Sequence, residues 1–188
     1  MSTISKIDEQ QGNGFSGTLA ADQNGTALLE FAITLPVLLS LYLGCVQICD
    51  VVSVYRKATT VSRTIVDLVS QQTIVSDSEL DSIMGASSQV LAPYSTDKLR
   101  MVVTHVSVNL TGVAKVDWSR ASGTGATADT VGSTYTLPTG VPINGTSLIV
   151  GKVNYDYLAD IGGVLRTDIP LGDVIYMYPR SIKSIPKT

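Results

Sequence analysis

Glu30 is the one formal charge between Thr26 and Cys49, in a run where almost everything else is apolar or small. An ionised carboxylate is expensive in such surroundings, so it needs a partner or a task. The other residues that could carry chemistry are few. Cys45 and Cys49 lie one helical turn apart inside the same run and read as small apolar filler rather than a disulfide or metal pair. His105 stands alone in a strand-like stretch with no second ligand nearby, which favours a structural role. Asp156, Asp160, Asp168 and Asp173 could gather a calcium ion, but they read better as solvated turn acids. Gly123, Gly125, Gly132, Gly140 and Gly145 form no phosphate-binding pattern, and Asn109 and Asn144 open glycosylation sequons that mean little outside a eukaryotic secretory route. No nucleophile pair, metal-ligand spacing or cofactor motif stands out, so catalysis ranks last among the function classes and no cofactor is expected. The net charge of −3, with no basic block, leaves no footprint for nucleic acid.

The elements that must place these residues begin with the apolar run itself. Thr26–Cys49, as a helix rising about 1.5 Å per residue, would reach about 36 Å, enough to cross a hydrocarbon core of about 30 Å. Pro36 within it removes one backbone hydrogen bond and is expected to kink the helix, which membrane helices tolerate. After Asp50, Val51, Val54, Ala58, Val61, Ile65 and Leu68 recur at spacings of three and four, while Arg56, Lys57, Arg63 and Asp67 fall elsewhere on the wheel. The rod therefore turns amphipathic and should lay that stripe on its own domain, with a coiled-coil seam as the other option. Ser76 and Glu79 form a capping box that opens a second helix, from about Asp77 to Leu91 and ended by Ala92-Pro93.

From Leu99 the period changes to two. Val102, Val106, Val108 and Leu110 share one face of a first strand, with Thr104 the weak member, and residues 114–120 pair with it across Thr111-Gly112-Val113. Residues 121–146 read as a long exposed loop with room for a short strand near Tyr135. Residues 147–158 form the next strand, with Ile149, Val153, Tyr155 and Tyr157 on one face, and residues 173–178 form the last. The expected fold is α+β: a long N-terminal helix, a short second helix, and an antiparallel sheet of three to five strands packed on the amphipathic part of the long helix. The chain divides into a polar, acidic, disordered leader over residues 1–25, a membrane-spanning helix over 26–50, and an α+β domain over 51–188. The leader is unlike a secretory signal peptide, which would carry a basic segment before a shorter apolar core.

Gly25 followed by an apolar helix with a glutamate as its fifth residue resembles the processing and assembly signal of type IV pilins and pseudopilins. The stretch Glu30-Phe31-Ala-Ile-Thr-Leu-Pro36-Val-Leu-Leu39 resembles, more narrowly, the opening of the TadE/TadG-like minor pilins of the tight-adherence (Tad, or Flp) pilus. Residues 56–63 are similar to the helical continuation in that family, and Tyr178-Pro179-Arg180 to its C-terminal ending. The resemblance implies cleavage between Gly25 and Thr26 by a membrane-embedded prepilin peptidase, and glycine suits a narrow cleft that must approach the backbone. It further implies that Glu30, with Phe31 beside it, serves assembly by pairing with the free α-ammonium of a neighbouring subunit in a low dielectric. The implied partners are the peptidase, other Tad pilins, the pilus assembly platform and the inner membrane. The implied location is a single-pass inner-membrane protein with a periplasmic domain, later part of the pilus at the cell surface. The size of the domain after the helix points to a minor rather than a major pilin.

The charges flanking the run oppose the positive-inside rule, since the leader holds one lysine against three acids while Arg56, Lys57 and Arg63 follow the helix. Processing requires a cytoplasmic leader, so the pilin pathway is expected to override that bias. Two rival readings remain open. One is an uncleaved, single-pass envelope protein whose β domain binds a ligand or partner. The other is a lipoprotein anchored at Cys45, although Leu43 is bulky where a small residue is wanted.

Overall fold

The computed structural model describes residues 23–141, 143–161, 165–180 and 184–188. In chain order these form helix α1 (Gln23–Ser70), helix α2 (Asp77–Ser88) with a 3-10 turn Gln89–Leu91, and strands β1 (Leu99–Val108), β2 (Ala114–Ser122), β3 (Ser147–Ile161) and β4 (Leu165–Met177). The fold is α+β, as the pattern of apolar periods required. Most of the expected leader lies outside the described residues, but Gln23, Asn24 and Gly25 already belong to α1, so the helix starts ahead of the expected boundary.

The chain divides into two units, residues up to Val46 and Gln47–Thr188, with the division inside α1. In the first unit the described residues are all α1. The helix is long and apolar enough to cross a membrane by length and composition, and Leu28, Leu29, Phe31, Ile33, Leu38 and Tyr42 leave it apolar and exposed on every side. A helix of that kind needs lipid or other apolar helices around it.

In the second unit the stripe on α1 does what its spacing requires. Val54, Ala58, Val61 and Ile65 are buried, joined by Val66 and Val69, in one core with Ile149, Val153, Tyr155 and Tyr157 of β3. Val51 and Leu68, at the ends of the stripe, are only half-buried. The capping box on α2 is complete: the Glu79 N–H donates to Ser76 Oγ, and the Ser76 N–H donates to Glu79 Oε2 at 2.8 Å.

The sheet is antiparallel throughout, in the order β2-β1-β3-β4, with a register shift between His105 and Val106 on β1. Three expectations change here. β1 is buried on both faces, and it stops at Val108, so Leu110 is in the turn and 82 % exposed. The reason is that residues 121–146 do not form an open loop. Tyr135, Leu137 and Val141 pack over Val106, Val108, Leu148 and Val150, closing a second core on the face away from α1. The short strand near Tyr135 is a bridge between Thr134 and Lys115, extended by bonds from the Val116 N–H to Ser133 O and from the Tyr135 N–H to Ala114 O. Finally, β4 begins at Leu165, well before Asp173, because it pairs with the whole far half of β3. A Cβ on Gly123 would sit 2.0 Å from the Leu99 carbonyl oxygen, and its φ is +102°, so only glycine can lead the chain from β2 into the covering segment.

Candidate functional site

Gly25, Thr26, Glu30, Phe31 and Pro36 all lie on the first part of α1, and the four up to Phe31 are exposed, Phe31 by 61 %. Gly25 is in ordinary helical backbone, and a Cβ built on it meets nothing within 4 Å. Glycine inside a helix costs about 0.5–1 kcal/mol relative to alanine. The fold itself therefore does not call for glycine there (Gly44 and Gly85 share that freedom). Glu30 makes no ion pair among the described residues, while its backbone carbonyl accepts a 2.7 Å hydrogen bond from Thr34 Oγ1. α1 is helical on both sides of Pro36, whose missing N–H leaves the Ala32 carbonyl without its helical donor.

The carboxylate at the other end of the apolar run has a different fate. Asp50 lies where α1 enters the second unit and receives two phenol hydroxyls, from Tyr94 on Oδ1 and Tyr157 on Oδ2, both at 2.5 Å. Gln47 Nε2 in turn donates to the Tyr157 hydroxyl at 2.8 Å. The Asp50 carboxylate raises the Tyr94 phenol to about 12, first through the hydrogen bond and then through burial. Tyr157 is pushed up as well, by burial first and by the same bond second. Two turns later Lys57 donates to the Ala92 carbonyl and sits 5.8 Å from the centre of the Tyr94 ring. Together these contacts fasten α1 to the turn after α2 and to β3. Sequence reasoning missed this clasp. The available signal was an acid immediately after the apolar run, with tyrosines on elements that had to pack beside it.

His105 is structural, as expected. It is fully buried, its ring stacks on Trp118 at 5.5 Å, Nδ1 bonds Asp117 Oδ2 at 2.8 Å, and Nε2 accepts the Ile185 N–H at 3.3 Å. Burial lowers its pKa, against the opposing pull of Asp117. The acids considered for an ion are engaged with the chain's own cations: Asp156 with Arg100 at 2.8 Å, Asp160 with Arg166 at 3.0 Å, Asp168 with Lys98 at 3.2 Å. Asp173 accepts the Val174 N–H. Among the described residues no cluster of His, Cys, Asp or Glu could hold a metal. On the covered face, Asp129 takes Thr104 Oγ1 at 2.7 Å and Lys152 Nζ at 3.0 Å, and Lys152 lies 4.8 Å from the centre of the Tyr135 ring, which pins the 121–146 segment down.

Residues 25–67 match the family model described as TadE-like protein. That stretch holds Gly25, Glu30, Pro36, Asp50 and the first part of the buried stripe, and it bears out the resemblance read from residues 30–39 and 56–63. No curated protein and no solved structure matches the chain.

Proposed function

We propose that this chain, TadE-like over residues 25–67, is a minor pilin (pseudopilin) of a Tad/Flp-type pilus, cut after Gly25 and acting in pilus initiation, assembly or at the tip. The observation that carries the reading is Glu30: the sole charge in an exposed and mostly apolar helical stretch, five residues after Gly25, with no ion pair among the described residues. Cleavage would create an α-ammonium on Thr26. In a low dielectric that charge and a neighbouring subunit's Glu30 attract strongly, and the pair fixes the axial register between subunits. The prepilin peptidase, the other pilins and the assembly platform are then the partners. The chain waits in the inner membrane with its domain in the periplasm and moves to the pilus on assembly. It is a structural subunit rather than an enzyme.

Gly25→Val and Glu30→Gln separate the two steps. The first should leave an uncut chain in the membrane. The second should be cut normally yet be lost from sheared pili by at least ten-fold. Normal incorporation of the Glu30→Gln chain would remove Glu30 from assembly. The alternative, an uncleaved membrane-anchored envelope protein with a partner-binding domain, draws on the flanking charges that oppose the positive-inside rule. It requires both variants to behave like the parent.

A further inference from the structure

Among the described residues no strand pairs with the outer edge of β4, and its C-terminal half is flanked by a groove on each face of the sheet. On the α1 side, a cavity of about 490 Å³ is floored by Leu68, Ile175 and Met177 and rimmed by Arg63, Thr64 and Asp67. On the other side, a cavity of about 430 Å³ lies among Val141, Leu148, Val174, Tyr176 and Tyr178. Side chains alternate along a strand, so Ile175 and Met177 pack toward the α1 core and Tyr176 toward the second core, while Ile175 borders both cavities.

The edge offers hydrogen bonds as well. The Val174 N–H goes to the carboxylate of its own neighbour, Asp173, at 3.0 Å rather than across to β3. Pro170, of the same parity, has no N–H to give. The even-numbered residues of β4 therefore aim their backbone groups away from the sheet, and proline is tolerated there for that reason. Beyond Pro170 the edge groups are those of Gly172, Val174 and Tyr176, and an incoming strand would displace Asp173 from the Val174 N–H.

We propose that this edge is a docking site for an extended segment of a different polypeptide, which adds as a fifth strand and drops alternate apolar side chains into the two grooves. Backbone bonds supply affinity in such an addition, and the alternating pockets supply selectivity. The charges select further. Asp67 is engaged by Arg180 and by Gln71, whereas Arg63 has no acidic partner among the described residues, so the segment carries a carboxylate on the side chain facing α1. A second copy of this chain is a poor occupant. Residues 132–135 take its β2 edge over Ala114–Val116, which leaves only the far end of β2 for head-to-tail addition. Symmetric pairing of β4 with β4 is antiparallel. Since α1 packs along β3, the ends at which the two α1 helices enter their domains would then point in opposite directions. The proposed assembly aligns its subunits in one direction, and a pair with opposed α1 segments does not fit it, which rests on the pilin reading above.

The test uses the full chain in detergent micelles and a panel of blocked heptapeptides alternating valine with threonine, with glutamate placed at each valine position in turn. The expected result is saturable binding by at least one member, with amide-exchange protection appearing at Val174 and Tyr176. N-methylation of the alternate peptide amides that face β4 should weaken binding at least ten-fold, and methylation of the other set should not. Arg63→Glu should weaken the glutamate peptide several-fold, and Val174→Pro should abolish binding while Trp118 emission stays unchanged. Absence of binding by every member at millimolar concentration overturns the proposal, as does binding indifferent to N-methylation. Protection at Val174 and Tyr176 that rises with protein concentration alone would assign the edge to a second copy and overturn it too. An uncut amino terminus, which would end the pilin reading, leaves these outcomes unaffected.

Discussion

Where Ser62 and Val66 of α1 cross β3, position 151 has no room for a side chain. A Cβ on Gly151 would lie 2.3 Å from Val66 Cγ2 and 3.2 Å from the Ser62 carbonyl oxygen. Carbon atoms rest about 3.5–4.0 Å apart, so helix and strand would have to separate by at least about 1 Å. The Gly151 φ is not positive, so the penalty is purely steric. Overpacking of this kind costs about 1–3 kcal/mol. Separation would also stretch the 3.0 Å bond from Ser62 Oγ to Gly151 O, adding about 1 kcal/mol. Gly151→Ala should therefore destabilise the second unit by about 2–4 kcal/mol. Val66→Ala alone should cost about 2 kcal/mol as a cavity. The double variant should cost less than the sum, with a coupling of about 1–2 kcal/mol, because losing Cγ2 makes the missing space. Urea unfolding of the detergent-solubilised chain, followed by emission of Trp118, reads these values, since that tryptophan is the chain's only one and lies in the same core. A Gly151→Ala chain as stable as the parent, or strictly additive variants, would refute the close crossing that docks the domain on its helix.

The Asp50 clasp predicts that Tyr94 and Tyr157 ionise late. Because the neutral phenols are the bonded forms, their contribution is intact below the ordinary tyrosine value of about 10. It should fade as the pH climbs toward about 12. Asp50→Asn should bring both ionisations down in a spectrophotometric titration, with a smaller fall at Tyr155, which the same charge also raises. His105 carries the opposite sign, since burial lowers its pKa. Stability should be full above an ordinary histidine's value of about 6.5 and decline as the pH falls below it, and His105→Gln should flatten that part of the urea-midpoint profile. Ile185 is fully buried, with its carbonyl accepting the Trp118 indole N–H at 2.8 Å. Ile185→Ala should cost about 2–4 kcal/mol and shift Trp118 emission to the red; an unmoved spectrum would mean Ile185 is not seated against that ring.

The helical half of the fold was legible because two independent periods spoke for it. An unbroken apolar run identified α1, and the change to spacings of three and four marked where it meets a domain. The capping box at Ser76 and Glu79 needed only local chemistry, and so did the alternation in β3. What escaped depended on long-range contacts. Tyr135, Leu137 and Val141 are too sparse among glycines and threonines to signal a covering layer, yet they bury one face of β1. β4 runs through Gly172 and Pro170, residues that usually argue against a strand, because as an edge it needs neither a donor at 170 nor a side chain at 172. At Gly172 a Cβ would meet Asn154 Oδ1 at 2.6 Å, a constraint visible only once β3 and β4 are paired. The clasp on Asp50 was hidden for the same reason, since its tyrosines come from residues 44 and 107 positions away. Gly25 and Glu30 were singled out by type, spacing and family resemblance together, because neither is demanded by packing.

The most direct measurement is intact mass with N-terminal sequencing of the chain from membranes, in cells with and without the prepilin peptidase. The expected result is a new amino terminus at Thr26 that disappears when the peptidase is absent. An amino terminus at Met1 in both cells would contradict it, and a lipid-modified terminus at Cys45 would contradict it in favour of a lipoprotein.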